Sequence, residues 1–279
     1  MADASTTPAT KSGNPRSLRI PRSLRIPRAL RGWVLPIGLI ILWWAAVRFG
    51  WSTSPLLVPV SKVWATAVEQ VRSGALFVAL SASLWRDVAG FALGASAGLL
   101  FGTALGLSRL FEQLVGPTFH TIKQISLFAW IPLISVWFGL GDTAKVVFLS
   151  LAAFFPVVLN TFEGIRAVPA DLLEVANVLK YSRRQVLLRV VLPSASPSIF
   201  AGIHLALIYA WLATLGAEYM LVSGKGIGNT LTDGRENFWM DLVIFGVIVV
   251  GLVGFTLNWI ASRIESRLLA WRGRSVAAF

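Results

Sequence analysis

The residues that could do covalent chemistry are few and scattered. The chain has no cysteine, which removes disulfides, thiol nucleophiles and thiolate metal ligands. Its two histidines, His120 and His204, stand far apart in sequence. No Ser/His pair at motif spacing and no paired carboxylates inside an apolar stretch are present, so no catalytic and no metal-binding residue is assigned. Gly224-Lys-Gly-Ile-Gly228 has the wrong order for a phosphate loop, so ATP hydrolysis is not expected of this chain. What remains is a set of polar groups within or beside apolar segments. Ionisable groups at membrane depth point to a solute or ion path. Glu218, followed by Gly224, Gly226 and Gly228, reads as a gate at an outer mouth, or else as an interhelical hydrogen-bonding group. His120 and Lys123 read as an inner meeting point for an anion leaving such a path. Asn160, close to Pro156, reads as an amide for backbone freed by the proline. His204 reads as a satisfied packing residue. An acidic Glu218 beside cationic candidates leaves the sign of a cargo open.

The elements that must position these groups follow from composition. The chain has 279 residues, 56% hydrophobic and only 14% charged, with 12 Trp and 17 Phe against 3 Tyr. Mean hydropathy is +0.71. A soluble sphere needs more polar surface than this chain supplies. Six apolar stretches are visible, at residues 33–50, 88–107, 124–141, 146–162, 195–222 and 242–262. The second carries no charge over its length, enough for about 30 Å of helix, one hydrocarbon thickness. The fold expected is all-α: a polytopic membrane bundle of six transmembrane helices spanning residues 32–272. A linker at 52–87 holds a candidate interfacial helix at 60–71.

Charge fixes the orientation. The net charge is +12, which in a soluble protein would suggest nucleic acid. Here Lys and Arg fall on alternate sides of the six stretches. With the N-terminus inside, inner segments hold 18 and outer segments 6, with Arg48 at the end of the first stretch. This favours both termini in the cytoplasm and attributes the charge to membrane lipid, with no nucleic acid. Residues 1–31 form a basic arm with the repeat Ser17-Leu-Arg-Ile-Pro-Arg22 and Ser23-Leu-Arg-Ile-Pro-Arg28. Its prolines break any continuous helix. The arm is expected to be disordered near the membrane surface, and residues 273–279 form a short tail.

Two features stand out along this frame. Gly90, Gly94, Gly98, Gly102 and Gly106 recur every fourth residue. They give a helix ridge without side chains, suited to close helix packing within the chain, or to a dimer face or sliding seam. The second feature is the longest inner loop, 163–193. Pro169 suits a first helical position, and Asp171 and Glu174 complement a helix N-terminus. Leu172, Leu173, Val175, Ala176 and Leu179 give an apolar face. Ser182-Arg-Arg-Gln185 is a capping box, with Tyr181 and Val186 placed for a hydrophobic staple. Val186, Leu187, Val190 and Val191 continue the stripe to Pro193. An apolar helix–turn–helix with no domain of its own fits a docking site. It fits equally an amphipathic element on the bilayer. A DNA-binding role ranks third, because some thirty residues tied at both ends to apolar stretches cannot reach a major groove.

Glu174-Val-Ala-Asn-Val-Leu-Lys180, nine further residues, then Val190-Val-Leu192-Pro193 resembles the E-A-A-x3-G-x9-I-x-L-P motif of permease subunits of binding-protein-dependent ABC importers. Glu174, Ala176, Leu192 and Pro193 match it, while Val175 and Val190 are mild changes. Lys180 stands where that family has glycine at a turn; a left-handed backbone there would cost a lysine about 1 kcal/mol, or else the turn is built differently. Trp137-Phe-Gly-Leu-Gly-Asp142, Phe154-Phe-Pro-Val-Val-Leu-Asn160-Thr, Gly164-Ile-Arg-Ala-Val-Pro169 and Ala217-Glu218 resemble the branch importing aliphatic sulfonates, taurine and nitrate. The likeness covers roughly residues 33–272.

The resemblance implies a type I importer permease in a bacterial inner membrane, working as a pair of copies, expected to be a homodimer. A cytoplasmic ABC ATPase subunit, carrying ATP and Mg, would grip the coupling loop; a periplasmic solute-binding protein would deliver cargo. This chain itself would hold no cofactor. Coupling would fall to Glu174, Val175, Ala176, Leu179, Lys180 and Ser182. Aliphatic sulfonate is the first cargo expectation, with taurine or nitrate the alternatives. A stand-alone gradient-driven transporter would be expected to show repeated halves, which the sequence lacks. A membrane-embedded enzyme ranks last.

Overall fold

The computed structural model describes residues 28–50 and 58–269. Most of the basic arm, part of the linker and the tail at 273–279 lie outside the described residues. Every described element is helical. In chain order they are α1 (Arg28–Arg48), α2 (Val60–Arg72), α3 (Ala75–Leu107), α4 (Arg109–Ile122), a 3-10 turn (Leu127–Trp130), α5 (Ile131–Phe138), α6 (Asp142–Arg166), α7 (Ala170–Val178), α8 (Arg183–Val186), a π turn (Leu187–Val191), α9 (Leu192–Met220), α10 (Ile227–Glu236) and α11 (Met240–Leu268). α1 belongs to a unit of its own; its apolar part is Ile37–Arg48.

The protein is an all-α membrane bundle, but its helices are not six equal spans. Four are long and apolar enough to cross a bilayer: α3, α6, the continuous rod Arg183–Met220, and α11. The stretch expected at 88–107 begins thirteen residues earlier, at Ala75. Arg86 and Asp87 depress the local hydropathy, yet the helix runs straight through them because both are buried inside the protein. The stretch expected at 124–141 is broken. α4 and the segment Leu127–Phe138 meet at 94°. Pro132 lies in the first turn of α5, where its missing N–H costs no hydrogen bond, and Gly139 ends α5 with φ +76°.

α3, α6 and α9 form the centre. Ala153, Val157, Ala206 and Ala210 meet there, flanked by Phe91, Ala95 and Leu99. The glycine ridge of α3 is taken up inside the chain, against α6. A Cβ at Gly98 would lie 2.9 Å from the Phe154 carbonyl oxygen, at Gly102 2.7 Å from that of Val158, and at Gly106 2.8 Å from Ile165 Cβ. The next face of α6 meets α9 as closely: a Cβ at Gly202 would stand 2.6 Å from Asn160 Cβ, and at Gly164 2.7 Å from Ser198 Cβ. In lipid, helices gain no hydrophobic force from meeting, so close backbone approach supplies the attraction. Replacing Gly98 by Leu is expected to destabilise the bundle by about 1–3 kcal/mol or prevent folding. Gly251→Ala, where a Cβ meets nothing within 4 Å, is expected to leave the melting temperature unchanged or slightly raised. Thermal unfolding of the purified protein in one detergent compares them.

Candidate functional site

The two ends of the bundle carry different chemistry. At one end lies the loop 163–193. Pro169 immediately precedes α7, in extended conformation (φ −58°, ψ 136°), rather than occupying its first turn. α7 ends in a Schellman turn: the Lys180 N–H donates to the Asn177 carbonyl at 3.0 Å and the Tyr181 N–H to the Ala176 carbonyl at 3.0 Å. Lys180 has φ +53°. The lysine therefore takes up the left-handed position that such turns give to glycine. Ser182 then forms the capping box: its Oγ accepts from the Gln185 N–H, and the Gln185 side chain accepts from the Ser182 N–H at 2.8 Å.

The apolar residues of this loop divide between two surfaces. Leu173, Val186, Leu187 and Val191 pack on Ile165, Ala195 and Ile199 of the chain's own core. Leu172, Val175, Val178 and Leu179 are exposed, Val178 by 81%. Ala176 is only 1% exposed. It packs inward, so it supports α7 rather than offering contact to a partner. Glu174, Lys180 and Ser182 are exposed. The second helix is continuous with the next span: α8, the π turn and α9 form one rod. Pro193 lacks an N–H, and its ring crowds the carbonyl four residues earlier. The widened turn, in which the Leu192 N–H reaches the Leu187 carbonyl, accommodates this without a break.

At the opposite end a knot of charged groups is buried. Arg86 is 2% exposed, Glu218 1% and Lys145 0%. Ser83 Oγ donates to Glu218 Oε1 at 2.7 Å and accepts from the Ile227 N–H at 3.0 Å. The Gly228 N–H donates to Glu218 Oε2 at 2.7 Å. The Glu218 carboxylate thus caps the N-terminus of α10, where the helix dipole favours a negative charge. Arg86 lies 3.4 Å from Glu218 and 3.4 Å from Asp142. It also donates to the backbone carbonyls of Ala82 and Lys225. Lys145 Nζ donates to the Ser223 carbonyl at 2.5 Å. Asp87 accepts from Thr214 Oγ1 at 3.1 Å. Gly226 and Gly228 leave room for the carboxylate: a Cβ at Gly228 would lie 2.7 Å from Glu218 Cβ.

The candidate path residues do not converge. Glu218 is enclosed in the knot and is not open to a path in this structure; desolvation of a carboxylate requires partners, and it has them. Asn160 lies 18 residues along α6 from Asp142, about 27 Å away by helical rise. Its Nδ2 donates to the Pro156 carbonyl at 2.9 Å, and not to the Ala152 carbonyl that the proline leaves without its donor. His120 is exposed, at the edge of an aromatic cluster, 5.5 Å from the Phe119 ring and 6.4 Å from Phe162. Lys123 caps the same helix end. His204 bonds Glu265 at 3.0 Å and Asn258 at 2.8 Å, joining α9 to α11. Ser83, Arg86, Asp87 and Lys145 had no reading from sequence as a site. The signal was a charged pair directly abutting a charge-free run of 20 residues.

This arrangement is a helical membrane bundle with buried charges at one end and an apolar loop at the other. Residues 90–270 match the family described as binding-protein-dependent transport system inner membrane component. The chain belongs to that family: it is an inner-membrane permease of the ABC importer class and not an enzyme. It is 36% identical over 87% of both chains to a Bacillus subtilis protein named aliphatic sulfonates transport permease SsuC. It is 36% identical to the nitrate import permease NrtB of Leptolyngbya laminosa, over 70% of this chain and 69% of that one. Its fold is similar to that of a chain in the inward-facing MetNI methionine ABC transporter, with TM-score 0.53 and 17% identity, covering 70% of this chain and 94% of the other.

Two outcomes follow from the geometry. Arg86→Met leaves the Glu218 carboxylate buried without its cation and is expected to destabilise the protein by about 3–5 kcal/mol. Arg86→Met combined with Glu218→Met is expected to be less destabilising than the sum of the single changes, a non-additivity that a double-mutant cycle on thermal or denaturant unfolding detects. Lys180→Gly is expected to stabilise the loop by about 1 kcal/mol by removing the left-handed strain, read as slower amide exchange at Tyr181, whose N–H bonds the Ala176 carbonyl.

Proposed function

We propose that this chain is the permease subunit of an ATP-driven importer for an aliphatic sulfonate, coupled through α7 to a separate ATPase. The observation that carries the reading is the exposed face of α7, where Leu172, Val175, Val178 and Leu179 stand uncovered beside Glu174. An apolar face of this kind rimmed by charge suits a partner's groove. The loop end is assigned to the cytoplasm by the excess of Lys and Arg. Of the six outer cations, Arg86 and Lys145 lie inside the knot, so the loops proper hold only Lys62, Arg72, Lys225 and Arg235, and the asymmetry deepens. Both termini then lie inside, and the knot faces the periplasm.

In this reading ATP and Mg reside on the ATPase, and closure of two ATPases draws together the loops of two copies of this chain. A periplasmic binding protein delivers solute at the knot end. His120 and Lys123, at the C-terminal end of α4, are the polar groups an anionic solute would meet on leaving. Sulfonate is favoured because the sulfonate-named relative matches over more of both chains than the nitrate-named one. Nitrate is the second reading, since the identity is equal.

Two measurements test this. Val178→Glu and Glu174→Arg, both at exposed positions, are expected to reduce copurification of the ATPase at least about tenfold while membrane insertion and melting temperature stay as in the wild type. Normal copurification of both variants would refute the coupling. Deletion of the gene is expected to abolish growth on alkanesulfonates as sole sulfur source and to leave growth on nitrate as nitrogen source intact; the reverse pattern would transfer the cargo to nitrate.

A further inference from the structure

The break between α4 and the 3-10 turn lies halfway along a membrane span. α6 carries no charge over residues 146–162, between Lys145 and Glu163. This is about 26 Å of helix, close to the hydrocarbon thickness. Its midpoint, Phe154, lies near the middle of a bilayer at any tilt. Phe119, near the end of α4, has its ring centroid 6.4 Å from that of Phe154 and 6.0 Å from that of Phe155. Phe128, in the 3-10 turn, lies 5.7 Å from Phe148 and is seated where Gly216 of α9 has no side chain. Residues 123–126, between these two anchors, are held at mid-depth.

The segment at that depth is polar. Lys123 is half-buried, and Gln124 and Ser126 are exposed. Ser126 precedes the 3-10 turn but its side chain makes no capping bond. Among the described residues, Lys123, Gln124 and Ser126 form no ion pair and no side-chain hydrogen bond. A helix break in the hydrocarbon region is tolerated where it is buried in protein or lines a water-filled cavity. An intramembrane lysine is likewise paired or turned to a cavity. Here the polar side chains are uncovered and unpaired, which leaves the cavity.

The distribution of acids then sets the sign of what passes. Among the described residues, none lies at this depth. Asp87, Asp142, Glu218 and Asp241 are at the knot end, Glu163 and Glu265 are near the loop ends of α6 and α11, and Glu112 is paired with Arg166. α1 carries no acid. A second copy of this chain would bring none to the same level. The counter-ion of Lys123 must come from outside the protein.

We propose that Lys123, flanked by Gln124 and Ser126, is the mid-membrane contact for the anionic head group of the cargo and gives the path its preference for anions. The inference rests on the importer reading above and adds the chemistry of recognition. The ligand is an oxyanion, sulfonate or nitrate, whose oxygens accept from the ammonium, the amide and the hydroxyl. A single cation suits passage, because a site on a path must admit an ion and also release it.

The test uses the full chain in proteoliposomes with its copurifying ATPase and binding protein. The chain has no cysteine, so Ser126→Cys gives it a unique thiol. Sulfonatoethyl methanethiosulfonate, an anion, and the trimethylammonioethyl reagent, a cation, are compared for their rates of labelling this chain, each relative to a free thiol in solution. The anion is expected to react at least about tenfold faster at low salt. That preference is expected to vanish when Lys123→Met is added and to survive with Lys123→Arg. Lys123→Met alone is expected to lower alkanesulfonate uptake at least about tenfold, Lys123→Arg to retain most of it, and both to melt as the wild type does. Failure of both reagents to label would place the break against lipid or protein and overturn the proposal. Equal labelling by the two, or wild-type uptake by Lys123→Met, would overturn it as well. Labelling does not require the ATPase, so its result stands apart from the coupling reading. Nitrate uptake in place of sulfonate, with the labelling preference intact, would change the proposed cargo and uphold the contact.

Discussion

The Glu218 carboxylate, enclosed by Ser83, Arg86 and the N-terminus of α10, fixes three helices and a loop relative to one another. Removing a carboxylate and a guanidinium from water is expensive, and their attraction offsets that only when the remaining lone pairs and protons are satisfied. Here they largely are. Ser83 relays the bond from Glu218 to the Ile227 backbone, and Arg86 turns its other donors to the Ala82 and Lys225 carbonyls. The loop between α9 and α10 is held in the same way, by side chains of the bundle that donate to its backbone carbonyls. Lys145 and Asn229 take the carbonyls of Ser223 and Val222.

The knot also supplies what the glycine ridge lacks. A ridge repeating every fourth residue lets α3 approach α6 closely, but a shift of one turn would bring the next glycine to nearly the same place. Dispersion alone therefore fixes distance and leaves register weakly determined. A hydrogen-bonded charge pair has no equivalent one turn away. Arg86 meets Asp142 at the head of α6 and Glu218 near the end of α9, so one side chain sets the register of all three helices. Buried polar groups used in this way exchange stability for a unique arrangement.

What could be read from the sequence was local. The capping box at Ser182 depends on residues three apart, and it forms. The ridge depends on a period of four within one helix, and it packs. Lys180 is a departure visible in a motif, and the backbone there is the left-handed one the motif's glycine implies. The knot was not legible because its members lie far apart in the chain: Ser83 and Glu218 are separated by 135 positions, Arg86 and Lys225 by 139. Nothing in hydropathy distinguishes a charge in an outer loop from one buried by such partners, so Arg86 and Lys145 read as loop cations and α3 read short. Ala176 failed for a related reason. A small apolar residue on an amphipathic helix fits either surface, and only the packing of α7 on its own bundle decides.

The rod from Arg183 to Met220 connects the two ends. Its first turn carries the capped, cationic tip of the loop and its last carries Glu218, so a displacement of α8 is transmitted to the knot unless the rod bends between them. The places where it can bend are few. Pro193 and Pro197 interrupt the hydrogen-bond ladder and the π turn widens it, all within the first 15 of the rod's 38 residues. From Ile199 onward the helix has no proline and packs closely on α6 at Gly202. In the proposed reading, a compliant stretch near the motor and a stiff one toward the knot would let α7 and α8 adapt to the ATPase surface while the remainder moves as a unit with α6. In the proposed reading, opening the outer face then requires no residue in this chain to sense ATP. It requires only that the partner's closure move a lever whose far end is already fastened to the loop that faces the incoming solute.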